Sequence, residues 1–163
     1  MKKTISIILF FLLLVMTFSC KTISTGFRFN ENNNISHVPS GVLFLERIGS
    51  FQYFENHCYD GRGFDVSVGY NDYKNNIALT HYIYPTIYRD KNYSIEEHII
   101  DCEKEISKYH ENAELIKSEK QKLKRINYIK KEYKYKDHLF NKYIEVKSSI
   151  ILFKEKNWFI KLS

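Results

Sequence analysis

The stretch from Ser94 to Asn112 constrains the fold most, because it alone after the N-terminal segment carries a confident helical period. Ile95, Ile99, Cys102, Ile106 and Tyr109 recur at alternating steps of four and three, which stacks them along one helical stripe. Ser94 followed by Glu97 is a capping box, in which each residue satisfies an amide of the first turn. Glu96 and Glu97 stand at the positive end of the helix dipole, Lys108 and His110 at the negative end. Strand-like runs flank the segment on both sides. The expectation is a helix over 94–112 with its stripe laid on a sheet and the domain folded around it.

Before the helix, Phe51 to Glu55 reads as a strand, while Val42 to Ile48 fits either a strand or a short helix. Phe64, Val66, Val68 and Tyr70 then alternate with polar or small residues. After the turn Asn71–Asn75, Ile77, Leu79 and Ile83 fall on one side of a second strand, with Ala78, Thr80, Tyr82 and Tyr84 on the other. Alternation about an Asn- and Asp-rich turn signals a hairpin. Both faces of that second strand are apolar or aromatic, as expected of a central strand covered twice. Pro85 ends it by removing a ladder donor. After the helix, 113–117, 125–136, 143–153 and 158–162 read as strands, the last two as a hairpin. The fold class is therefore α+β: a mainly antiparallel sheet packed on one principal helix. That order of elements resembles the PsbP/Mog1-like fold family, as an analogy of topology alone.

The first residues read as an address. Lys2 and Lys3 precede an almost unbroken apolar run from Ile5 to Phe18. Its length suits a signal-peptide core of roughly 7–15 residues and falls short of a membrane span. The run stops at Thr17-Phe18-Ser19-Cys20, where the chain resembles a bacterial lipoprotein precursor; Ser19 and Cys20 match the lipobox, while Thr17 and Phe18 depart from it. The resemblance implies export, cleavage before Cys20 and acylation of Cys20, which would hold the protein on a membrane. An ordinary secretory signal or an uncleaved anchor is the alternative. Lys21 does not suggest retention in an inner membrane, so the expected place is the cell envelope, lipid-anchored to an outer membrane and facing the periplasm. The chain then divides into a signal peptide (1–19), a lipid-anchored flexible tether (20–40, Asn-rich and aperiodic) and one α+β domain (41–163).

Composition excludes several classes of function. The formal net charge of +6 loses two when Lys2 and Lys3 leave, a modest excess on an exported protein without access to cytoplasmic nucleic acid. The basic run from Lys117 to Lys136 therefore reads as a solvated sheet face whose lysines discourage edge pairing. With Cys20 acylated, Cys58 and Cys102 remain: a disulfide between them is open in an oxidising compartment, against a reading of Cys102 as a core residue and Cys58 as a surface one. His57-Cys58 and His98 with Cys102 lack the paired spacings of structural zinc sites, so no metal and no cofactor are expected. Gly61-Arg62-Gly63 runs into a strand rather than opening a helix, and turn geometry accounts for its glycines.

The 13 tyrosines and 12 phenylalanines exceed what motifs explain. Tyr59, Tyr70, Tyr73, Tyr82, Tyr84, Tyr88 and Tyr93 gather around the hairpin and its exit, and half-buried tyrosines suit recognition of peptides or sugars as well as packing. Tyr70, Tyr82, Tyr84 and Tyr88 are the candidate ligand-binding residues. No catalytic motif is present, so the expected role is a non-catalytic binding or inhibitor-type module for an envelope protein or cell-wall ligand. A cell-wall hydrolase using carboxylates near Asp60 and Asp65, or a structural part of an envelope assembly, is the alternative.

Overall fold

A computed structural model describes residues 26–88, 93–110, 112–139 and 142–163. Three short strands come first: β1 (Phe27–Phe29), β2 (Ile35–His37) and β3 (Val42–Phe44), paired in that order. Then follow β4 (Arg47–Ile48), β5 (Phe51–Cys58), β6 (Val66–Asp72) and β7 (Ile77–Pro85), a 3-10 turn at Thr86–Tyr88, and the helix α1 (Ile95–Tyr109). The chain ends with β8 (Glu114–Leu123), β9 (Ile126–Leu139), β10 (Lys142–Glu155) and β11 (Trp158–Leu162).

The second group forms an eight-stranded sheet in the order β4-β5-β6-β7-β11-β10-β9-β8, antiparallel at every pairing. Each hairpin turn joins neighbours, so the sheet is two four-stranded meanders. They meet where β11 pairs with β7, Ile160 opposite Ile83. The final strand is thus central, as is β7.

Strand alternation gives the sheet two apolar faces, and each has its own core. On one face, Val66, Val68, Tyr70 and Ile83 pack with Phe27, Ile35 and Phe44 of the small sheet, joined at the margin by Trp158 and Ile160. On the other, Ile129, Tyr133, Ile150, Leu152 and Phe159 pack with Ile99 and Cys102 of α1. The sheet, not the helix, is the organising element: it serves both cores, and the one under the small sheet takes no residue from α1.

The helix itself begins as the sequence requires. The Ser94 hydroxyl accepts the Glu97 amide at 3.1 Å, and the Glu97 carboxylate accepts the Ser94 amide at 2.8 Å. It ends earlier than expected, with His110 as its C-cap. His98, Ile99 and Cys102 are buried, and Ile95 and Ile106 pack against their cluster, but Tyr109 is 74 % exposed and leaves the stripe. The end of the helix meets the sheet through His110 instead, whose ring stacks on that of Tyr135 with centroids 3.9 Å apart.

Residues 26–40, expected as tether, are folded. Phe27, Ile35 and His37 are buried, and the Asn-rich run between them is a turn in which the Asn30 side chain accepts the amides of Asn32 and Asn34. Only the part of that stretch before Gly26 lies outside the described residues, and Cys20 lies there with it.

Candidate functional site

On the helix side of the sheet, the rows of side chains over β6, β7 and β11 are not fully covered by α1. A groove of about 400 Å³ opens there, lined by Tyr59, Asp65, Tyr82, Tyr84, His98, Asp101, Cys102, Glu105 and Lys161. Register explains the gathering: Ser67, Tyr82 and Lys161 are successive cross-strand neighbours, and Tyr84 is opposite Phe159. All lie on the strand parity opposite the Val66, Val68 and Ile83 core.

The groove wall is braced by contacts among its own members. The Tyr59 and Tyr82 rings are stacked with centroids 6.4 Å apart, and the Tyr59 hydroxyl is hydrogen-bonded to Ser67 Oγ at 3.0 Å. Lys161 Nζ stands 4.2 Å from the Tyr82 ring centroid, a cation held against a π face. The Tyr84 hydroxyl bonds His98 Nε2, and the His98 ring packs 4.6 Å from that of Phe159. Tyr93 donates its hydroxyl to Asp101, tying the helix to the chain that enters it.

Asp65, Asp101 and Glu105 face the groove against Lys161, with Asp101 already accepting from Tyr93 and from Lys104 at 3.1 Å. Burial pushes the Asp65 carboxyl above its ordinary range, nearby Asp60 pushes it further, and Lys161 opposes both. Asp60 is engaged differently: its Oδ1 accepts the amides of Arg62, Gly63 and Phe64 at 3.1, 2.8 and 3.2 Å. That carboxylate organises the loop between β5 and β6.

The expected site residues therefore separate. Tyr82 and Tyr84 come together on the groove. Tyr70 does not: it is 1 % exposed, donates its hydroxyl to the Leu45 carbonyl at 2.9 Å, and burial raises its pKa to about 12. It shares the parity of Val66 and Val68, so the alternation that places those valines in the core places Tyr70 there as well. Tyr88 closes the 3-10 turn, and its side chain lies outside the described residues. Cys58 packs at the margin of the core under the small sheet and Cys102 in the core under α1. The sheet lies between those cores, and the two thiols are not bonded to each other. The same separation keeps Cys58 from joining His98 and Cys102, and among the described residues no three His, Cys, Asp or Glu side chains are gathered to hold a metal ion.

Reading along the sequence missed Tyr59 as a partner of Tyr82, and it missed Lys161, Asp101 and Glu105. His98 and Cys102 had one available signal, their spacing of one helical turn on the face that meets the sheet. The basic run resolves into ion pairs over β8, β9 and β10, with Lys117–Glu119, Lys130–Glu132 and Lys134–Glu145 at 2.8, 2.6 and 2.7 Å. Among the described residues, no helix is long and apolar enough to cross a membrane. No family model matches the chain, and no curated protein matches it.

Proposed function

We propose that this chain is a lipid-anchored cell-envelope protein whose domain binds a ligand in the groove beside α1 without turning it over. The observation that carries the reading is the convergence of Tyr59, Tyr82 and Tyr84 with Asp65, Asp101 and Glu105 on one partly covered sheet face. Aromatic faces supply contact area at little entropic cost, and carboxylates accept from hydroxyl or amine donors. A cell-wall fragment, which carries both donors, suits that combination. In this reading α1 is the principal packing partner of the sheet on that side and forms one wall of the groove.

The anchor is Cys20, on the strength of the apolar run ending at Ser19-Cys20, with the outer membrane facing the periplasm as its place. Replacing Cys20 with Ala is expected to release the protein from membranes or leave an unprocessed precursor. Binding is tested by titrating the protein with soluble peptidoglycan fragments while following tyrosine ring resonances. Tyr82 and Tyr84 should shift, and a Tyr82→Ala/Tyr84→Ala variant with an intact fold should lose the response. No response in the wild-type protein would sink the binding reading.

A second reading is favoured by one group. A carboxyl whose pKa is raised by burial is what a general acid requires, and Asp65, raised by burial and by nearby Asp60, lies in the groove. Fragments shortened in mass by the wild-type protein, but not by an Asp65→Asn variant, would assign the groove to a hydrolase.

A further inference from the structure

One end of the large sheet is set apart from the other by its distance from the proposed anchor. The registers Cys58↔Val66, Pro85↔Trp158, Glu155↔Trp158 and Leu123↔Ile126 put the β5–β6 loop, the 3-10 turn and the β10–β11 and β8–β9 turns all at this end. Gly26 is there too, with φ +119°, so close to Gly63 that a Cβ on it would stand 2.5 Å from the Gly63 carbonyl oxygen. Six steps of chain lead from Gly26 back to Cys20, a reach of at most about 20 Å. The 14-residue β10 is more than twice that, at roughly 46 Å. Because 26–40 is folded, there is no long tether to lift the domain away, and a lipid on Cys20 keeps this end beside the bilayer.

The same end exposes apolar side chains among cations. Leu123 is 65 % exposed at the tip of the β8–β9 hairpin, between Lys122 and the turn residues Lys124 and Arg125. Ile87 is 83 % exposed in the 3-10 turn, Phe64 is exposed with the Arg62 guanidinium 5.6 Å from its ring centroid, and Lys156 caps the β10–β11 turn. The carboxylates nearby are mostly engaged: Glu96 by Lys120 at 3.0 Å, Glu97 by the Ser94 cap, and Asp60 by its own loop amides. Glu155 is the acid beside Lys156 in the β10–β11 turn. Apolar tips flanked by Lys and Arg seat themselves at the headgroup boundary and gain from anionic lipid within a screening length of about 8 Å. The opposite end also exposes Tyr73, Ile77 and Tyr143, with Lys74 in the β6–β7 turn, so it is the short reach to Cys20 that singles out the first end.

We infer that this end of the domain docks on an anionic lipid bilayer, with Leu123 and Ile87 at the headgroup boundary and Lys122, Lys124, Arg125 and Lys156 on the headgroups. The inference rests on the acylation of Cys20 proposed above. It stands the strands upright on the membrane, with the β5–β6 loop, which supplies Tyr59 and Asp65 to the groove, at the bilayer-facing end.

The test uses the full lipidated chain in vesicles of phosphatidylglycerol and brominated phosphatidylcholine. Leu123→Trp and, separately, Tyr143→Trp each add one reporter to Trp158, the sole native tryptophan and a common background. Bromine should quench the added emission at position 123 and leave that at 143. Changing Lys122, Lys124 and Arg125 to Glu in the Leu123→Trp chain should abolish the quenching while the chain still floats with the vesicles. Equal quenching at both positions, or quenching that survives the charge reversal, overturns the docking surface with the anchor intact. A chain that fails to float overturns the anchoring reading, and the docking surface falls with it.

Discussion

His37 has no exposed surface, yet both of its ring nitrogens are engaged. Nε2 lies 2.6 Å from the Gly63 carbonyl, which can only accept, so Nε2 carries the proton; Nδ1 then accepts from Ser40 Oγ, also at 2.6 Å. Burial lowers the pKa of this imidazole, outweighing the Gly63 carbonyl and Asp60, which both raise it. His81, between Phe44 and Tyr70, is shifted the same way by burial. A folded pKa below the unfolded value means that the unfolded chain takes up the proton first as pH falls. The stability of the neutral form is therefore fully present above about pH 6.5 and lost as pH drops through the folded pKa. The melting temperature should fall on acidification from about pH 7 to about pH 5. In His37→Gln, less stable throughout, the fall over that interval should be shallower. An unchanged slope would remove His37 from the account.

At the scale of elements, the small sheet and the β6–β7 hairpin show what a sequence reveals and what it hides. The hairpin was legible because seven- and nine-residue strands give alternation room to repeat. Its parity placed Tyr82 and Tyr84 together, opposite Ile83, and they meet at the groove. The same parity placed Tyr70 with Val66 and Val68, and the density of tyrosines obscured it. Strands β1 and β2 have three residues each, too few for a period to stand above noise. The run between them looked like linker because asparagine serves both roles; here Asn33 takes a positive φ of 56° and Asn30 caps the turn. The available signal was the apolar pair Phe29 and Ile35, opposite each other across an Asn-rich turn, with Phe27 two residues back on the same strand. A tether would tolerate truncation at either kind of position. In the folded sheet, Ile35→Ala should cost about 2–5 kcal/mol through lost burial and a cavity. Asn32→Ala, on the exposed turn, should stay within about 0.5 kcal/mol. Urea denaturation of the two variants separates these outcomes.

For the whole molecule, the decisive contact is the non-local one between β7 and β11. The hairpin of β10 and β11 is local and could be read from the turn Lys154–Asn157. Which strand takes the other edge of β11 has no periodicity to announce it, because the pairing joins segments on either side of α1, β8, β9 and β10. That pairing unites two meanders, and β11 serves both cores. Ile160 packs under the small sheet, while Phe159, with no exposed surface, packs under α1 beside Tyr84, Tyr93 and His98, centroids 6.0, 6.2 and 4.6 Å away. The groove depends on the same seam, since Tyr82 and Lys161 are neighbours only because β7 and β11 are paired. Phe159→Ala should therefore cost about 3–5 kcal/mol and weaken both halves together. Trp158 emission reports the core under the small sheet, and far-UV circular dichroism reports the whole sheet. In a cooperative domain both follow one urea midpoint, in wild type and in the variant alike. Two midpoints in the wild-type protein would mean that the meanders fold independently, and that the groove is assembled only when they meet.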